Sequence, residues 1–265
     1  MRSGVLCGRE HLGVGRIACI AEGAAAIALS QGGAGKTYAY KSPNEDAAAY
    51  ALGEGGCLLA VADGHSGYEA SEIAVTELLA RYGEEWTRVR AAPQPWPVRA
   101  AQAVEHAHRA MLARAPQAAG LEARTTLVFS LARPAEDWLG WASVGDSHVF
   151  VVEASAATER GCAADGPSFL GSPAASAEAL AVRSGSETLT GARAIVLATD
   201  GLSERGIGVA SPAAAVQAAA AGGASARPAL RALETARGLV ETALEAHRQQ
   251  RSGDNVASAV YWCGV

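Results

Sequence analysis

Two short apolar runs in this chain each end on an Asp-Gly pair, and this constrains the fold more than any other feature. Cys57-Leu58-Leu59-Ala60-Val61-Ala62 runs into Asp63-Gly64, and Ala194 to Ala198 runs through Thr199 into Asp200-Gly201. An apolar run of that length without polar alternation predicts a strand buried on both faces. A third apolar strand, Asn255 to Cys263, begins directly after Gly253-Asp254. Such strands carry carboxylates at their ends while their interiors stay dry, so the acids can converge on one edge of a sheet. Clustered carboxylates repel one another and raise their own pKa values. A hard divalent cation such as Mg²⁺ or Mn²⁺ removes that cost. Taken singly, an Asp-Gly pair at a strand end is usually only a turn; the combination carries the argument.

The rest of the chain mixes strands and helices without strict βαβ alternation. Asp46 to Tyr50 reads as a strand joined to Cys57 to Ala62 by the turn Gly53-Glu54-Gly55-Gly56. Thr125 to Leu131 is rich in β-branched and apolar residues. Trp138 to Val144 and His148 to Val152 flank Gly145-Asp146-Ser147, which reads as a hairpin turn. Ile17 to Leu29 is a strand or a strand with a turn. Helices are expected over Glu69 to Trp86, Val98 to Arg114, Pro212 to Ala221 and Pro228 to Gln249. Residues 154 to 187 read as loop and short strands. With no repeat and no boundary, residues 1–265 are expected to form a single domain. The class is α+β, an antiparallel sheet system with helices packed outside. Alanine supplies roughly a quarter of the chain, well above ordinary usage. Aromatic residues make up only 5%, so close helix–sheet packing is expected.

Charge and cysteines exclude several classes. The net charge is −5 and no polybasic run occurs, which argues against a nucleic-acid partner. Ile17 to Leu29 carries Glu22 and is too short to span a bilayer, and Glu22-Gly23 interrupts it as a signal peptide. No membrane partner is therefore expected. The five cysteines, Cys7, Cys19, Cys57, Cys162 and Cys263, show neither CxxC nor zinc spacing. They read as free thiols in a reducing cytoplasm, with Cys57 in the core.

The acidic motifs fall in a set order. Asn44-Glu45-Asp46-Ala47 comes first, then Val61-Ala62-Asp63-Gly64-His65-Ser66-Gly67, then Val144-Gly145-Asp146-Ser147. Thr199-Asp200-Gly201-Leu202 and Gly253-Asp254-Asn255 complete it. This order resembles the metal-dependent serine/threonine protein phosphatases of the PPM family (the type 2C phosphatases) in their bacterial form. Thr125-Thr126-Leu127 is similar to the family's threonine-rich strand. The resemblance spans about residues 27 to 263, and five ordered motifs are far more specific than one.

The resemblance implies a four-layer α-β-β-α sandwich of two mainly antiparallel sheets flanked by helix pairs. It implies hydrolysis of phosphoserine or phosphothreonine by a metal-bridging hydroxide, with two Mn²⁺ or Mg²⁺ ions and a third in many bacterial relatives. Asp63 would bridge two ions, with the Gly64 carbonyl on one, and Asp200 and Asp254 would complete the other ion's ligands. Glu45 and Asp46 would serve the second ion and its waters, and Asp146 beside Asp200 would hold the third. His65 matches the histidine that protonates the leaving alkoxide, and Asn255 would support the ligands from behind. The chemistry is coherent: two ions generate hydroxide at neutral pH and bind phosphoryl oxygens, and a poor alkoxide leaving group needs an acid. The implied partner is a phosphoprotein substrate of a serine/threonine kinase, met by a cytoplasmic monomer.

The chain departs from the family in three places. Relatives often bind the substrate phosphate with an Arg before Asn-Glu-Asp; here Lys41 stands there, with Lys36 a second candidate. Lysine is a point charge and lacks the planar fork of arginine. His148 follows Gly-Asp-Ser where Arg is common. Residues 154 to 187 lack the usual Thr-x-Asp-His-Ser and predict a reduced flap. Two other readings exist. One is a catalytically weak or silent PPM-like module that binds a phosphoprotein or kinase. The other is a nucleotide-binding loop at Ser30-Gln31-Gly32-Gly33-Ala34-Gly35-Lys36-Thr37, which lacks the first glycine and the following helix.

Overall fold

The computed structural model describes residues 1–36, 43–88, 95–114, 123–161, 169–171 and 180–264. Two six-stranded antiparallel sheets form the centre. The first contains β1 (Arg2–Cys7), β4 (Ala47–Leu52), β5 (Cys57–Ala62), β8 (Leu127–Arg133), β9 (Trp138–Val144) and β12 (Arg183–Glu187), in that spatial order. The second runs β11 (Ala157–Glu159), β10 (His148–Val152), β13 (Ala194–Ala198), β14 (Val256–Trp262), β3 (Ala25–Ser30) and β2 (Ala18–Glu22). A short ribbon, β6 (Gly64–His65) with β7 (Arg124–Thr125), sits beside the first.

Each sheet carries helices on its outer face. α1 (Glu69–Leu78) continues through a π-helical turn (Leu79–Gly83) into α2 (Glu84–Thr87), and α3 (Trp96–Arg114) packs with it on the first sheet. α4 (Pro212–Ala224) and α5 (Arg231–Gln250) cover the second. A third core, with Ile27, Leu59, Val128 and Leu197, lies between the sheets. This is the four-layer sandwich that the resemblance implies.

Burial on both faces explains why β3, β5, β13 and, up to its final Arg133, β8 are continuously apolar or small, since every residue of each is buried. Ala26 and Ala28 of β3 and Ala194 and Ala198 of β13 let the α4–α5 layer approach the second sheet closely. Pro212 opens α4, where its missing N–H costs nothing. Arg251, in the left-handed region at φ 55°, ends α5. Arg133 is buried and donates to the carbonyls of Trp86 (2.7 Å) and Arg88 (3.0 Å), so one guanidinium caps the end of α2.

The structure corrects one turn and refines several elements. Gly145-Asp146-Ser147 does not close a hairpin. β9 pairs with β8 and β12, whereas β10 pairs with β11 and β13. The turn therefore carries the chain from one sheet to the other, helped by Gly145 at φ 99°. Turn residues encode a reversal, but not which strand accepts the new hydrogen bonds. Ile17 to Leu29 resolves into β2, a turn and β3. The edge strand β1 carries little strand signal in the sequence, because its six residues alternate poorly. Within residues 154 to 187, β11 and β12 are the expected short strands; 162–168 and 172–179 lie outside the described residues.

Candidate metal centre

Antiparallel pairing brings all five acidic motifs to one end of the sandwich. Ala47 pairs with Ala62, so Glu45-Asp46 before β4 and Asp63 after β5 share an edge. In the second sheet Ala198 pairs with Ser258, which puts Asp200 after β13 beside Asp254 before β14. Asp146 sits on the turn that crosses between the sheets. Neither sheet owns the site; its halves meet there.

Hydrogen bonds tie those halves together. Thr199 Oγ1 donates to Asp46 Oδ2 at 2.7 Å and accepts from the Ala257 N–H at 2.8 Å. The Glu45 N–H donates to Asn255 Oδ1 at 2.9 Å. Asn255 Nδ2 donates to the carbonyls of Gln31 (3.1 Å) and Pro43 (3.0 Å). The Asp63 N–H donates to Thr126 Oγ1 at 3.0 Å, and Thr125 Oγ1 donates to the Asp63 carbonyl at 2.7 Å. Gly201 comes so close to the Asn255 carbonyl that a Cβ would lie 1.7 Å from its oxygen, so only glycine fits there.

Glu45 and Asp46 are buried, and Asp63 and Asp200 nearly so. Burial, followed by repulsion from Asp200, Asp46 and Asp254, pushes the Asp63 carboxyl well above its usual range. Asp200 shifts the same way through burial and then Asp254 and Asp146. Burial takes Asp46 up to about 7, against the Thr199 hydrogen bond. Among the described residues, no three His, Cys, Asp or Glu side chains already stand together as a coordination group. The donor set nevertheless fits a hard cation. It is all oxygen, and Asp46 Oδ1 and Asp146 Oδ1 are buried without a hydrogen-bond partner.

The other predicted residues divide. His65 Nε2 lies 3.4 Å from Asp63 Oδ2 without the alignment of a hydrogen bond. Its ring meets Phe169 edge-on at 4.5 Å. Burial holds its pKa below the ordinary histidine value, with Asp146 opposing. The Gly64 N–H donates to the Glu45 carbonyl at 3.2 Å. Lys36 turns inward, donating from Nζ to Asn255 Oδ1 with Asp254 Oδ1 at 3.7 Å. Lys41, Thr37 and Cys162 lie outside the described residues. Among those described, the four remaining cysteines are free. His148, in place of the common Arg, is buried between Glu159 (Nδ1, 2.5 Å) and Ser203 (Nε2, 2.6 Å).

Sequence reasoning missed three supports. Thr199 and Thr126 were visible only as motif neighbours, and a hydroxyl beside a strand-end acid is the signal that finds them. His247 left no signal beyond its place on an amphipathic helix. The Gly33 N–H donates to its Nδ1 (3.2 Å), while its Nε2 donates to the Gly201 carbonyl (2.7 Å). A cavity of about 390 Å³ lined by Trp86, Arg99 and Arg109 belongs to the outer helical layer and includes none of the strand-end acids.

The family described as protein phosphatase 2C matches residues 35–217, more than two thirds of the chain. No curated protein matches the chain in sequence. Among solved structures, a bacterial serine phosphatase is 16% identical, with TM-score 0.68, covering 91% of this chain and 98% of its own. The catalytic domain of the serine/threonine protein phosphatase PstP, in complex with two manganese ions, is 21% identical with TM-score 0.61, covering 93% and 97%. Stp1 from Staphylococcus aureus is 17% identical with TM-score 0.59, covering 83% and 89%. At these identities the neighbours establish the shared fold. Among the described residues no helix is long and apolar enough to cross a membrane.

Proposed function

The chain belongs to the protein phosphatase 2C family of phosphoprotein phosphatases, and we propose that it is a competent, metal-dependent member acting on phosphoserine and phosphothreonine. The observation that carries this reading is the meeting of strand-end carboxylates from both sheets at one edge, where burial and mutual repulsion raise Asp63 and Asp200 and where Asp46 and Asp146 each keep an oxygen without a hydrogen bond. Asp63 with the Gly64 carbonyl, Asp200, Asp254, Glu45 and Asp46 would hold two Mn²⁺ or Mg²⁺ ions, and Asp146 with Asp200 a third. When bound, such ions supply an activated water and neutralise phosphoryl charge.

The chain's own groups do the rest. Thr199 and Asn255 fix Asp46 and the Glu45 backbone across the two sheets, so the ligands need little reorganisation. Phosphate recognition falls to Lys41, because Lys36, the second candidate, turns inward onto Asn255 and Asp254. His65 gives its proton to the departing serine or threonine oxygen. Burial lowers the proton affinity of His65, and a phosphate dianion beside it would raise that affinity on binding. A phosphoprotein, the product of a serine/threonine kinase, is the substrate class.

The test is Mn²⁺-dependent phosphate release from a phosphothreonine peptide. Asp63→Asn from the first sheet and Asp200→Asn from the second should each lose on the order of a thousandfold in kcat/KM. Folded wild type that releases no phosphate with either Mn²⁺ or Mg²⁺ would overturn the reading and leave a phosphoprotein-binding module.

A further inference from the structure

Lys36 is placed where a substrate-seeking side chain has no reason to be. Its side chain is only 8% exposed. The ammonium donates to Asn255 Oδ1 and pairs with Asp254 at 3.7 Å. The backbone behind it is equally fixed. Lys36 forms a parallel bridge with Gly253, and the Gly253 N–H donates to the Gly35 carbonyl at 3.0 Å. At its other end the Gly-rich segment is held by the Gly33 N–H to His247. Asn255 in turn uses its amide on Gln31 and Pro43 and its Oδ1 on Glu45. The sequence that imitates a phosphate-binding loop is thus a short strap that delivers one ammonium into the carboxylate cluster.

We propose that Lys36 is a resident counter-charge of the metal centre: it steadies the carboxylates when metal is absent and weakens the binding of the divalent ion when metal arrives. The inference rests on the metal-dependent reading above. A buried carboxylate cluster without cations is self-repelling, and a fixed positive charge relieves it. The same charge lies beside Asp254, a proposed ligand, and repels an incoming cation. Burial lowers the proton affinity of Lys36, and the charges of Asp254, Asp46, Glu45 and Asp63 oppose that shift.

Calorimetric titration of metal-stripped protein with Mn²⁺ tests this. Lys36→Met and the more polar Lys36→Gln should bind Mn²⁺ about tenfold tighter than wild type, and both should melt at lower temperature in EDTA. Lys36→Arg, which keeps the charge, should stay within about twofold of wild type, well short of the change a lost charge gives. Wild type that binds Mn²⁺ while the neutral variants bind it equally or more weakly would overturn the counter-charge and leave the metal reading standing. Wild type that binds no Mn²⁺ overturns both. A direct check needs no substitution. In ¹⁵N-lysine NMR of wild type, the Lys36 ammonium resonance should move on adding diamagnetic Mg²⁺; a stationary resonance with Mg²⁺ demonstrably bound counts against the proposal.

Discussion

The two halves of the sandwich reach similar architectures with different materials. Between the first sheet and its helices lies an aromatic cluster. Trp86 meets Tyr82, Trp96 and Phe129 at centroid distances of 4.6, 5.4 and 6.1 Å, and Trp96 reaches Trp138 at 5.4 Å. The helical layer on the second sheet packs Ala215, Ala219, Ala220, Ala232, Ala236 and Ala243 with the aliphatic Leu239, Val240 and Leu244, whereas the alanines of α1 and α3 share their layer with those rings. Large rings fill space with few residues, and losing one leaves a hole. Small residues bring backbones together, and the hazard there is excess volume. Each half nevertheless supplies carboxylates to the same edge, so the site depends on both kinds of packing.

The largest effect is expected where the halves meet. Asp46 and Asp63 from one half and Asp200 from the other have raised pKa values in the folded, metal-free protein. The folded state therefore binds more protons than the unfolded state above the ordinary carboxylate range. Their stabilising contribution is fully present below that range and is lost as pH rises through about 7, the Asp46 value, and beyond. In EDTA the Tm should fall between pH 5 and pH 8, the fall should shrink in Asp200→Asn, and Mn²⁺ should restore most at the higher pH. A Tm that climbs over that interval in EDTA contradicts the assignment.

Next in size is Trp86→Ala, expected to cost about 3–5 kcal/mol in urea unfolding. A loss near 1 kcal/mol would mean that the first half tolerates holes and the contrast is false. Ala236→Leu, in the second half, should cost about 1–3 kcal/mol through overpacking; a neutral result would show slack between α5 and its sheet. The smallest effect is expected from Thr199→Val, which removes the hydroxyl joining the halves at Asp46. About 1–2 kcal/mol should be lost, and the metal-free pH dependence should shift because Asp46 loses a hydrogen bond that favours its charged form.

Much of this was legible because strands buried on both faces announce themselves. Cys57 to Ala62 and Ala194 to Ala198 left no other option, and the acids at their ends had to lie at the sandwich edge. What stayed hidden depended on partners far along the chain. Gly145-Asp146 signals a turn, but pairing of β10 with β13 instead of β9 is decided by packing between sheets. Lys36 looks like a solvated side chain until Gly253 lies beside it. The helical run from Glu69 to Trp86 was readable, whereas the π-helical turn at Leu79–Gly83 that separates α1 from α2 was not, since periodicity averages over one extra residue.

His247 offers a use unrelated to chemistry at phosphorus. Its Nδ1 accepts from Gly33 and its Nε2 donates to Gly201, so the imidazole is held as one neutral tautomer, and burial lowers its pKa further. Two loops, one leading to Lys36 and one to Asp200, thus share a single ring. In a ¹⁵N-histidine spectrum that ring should give a fixed Nε2–H pattern through mildly acidic pH. Any ligand, ion or mutation that separates the loops would release it, so this one signal monitors the integrity of the whole edge from inside.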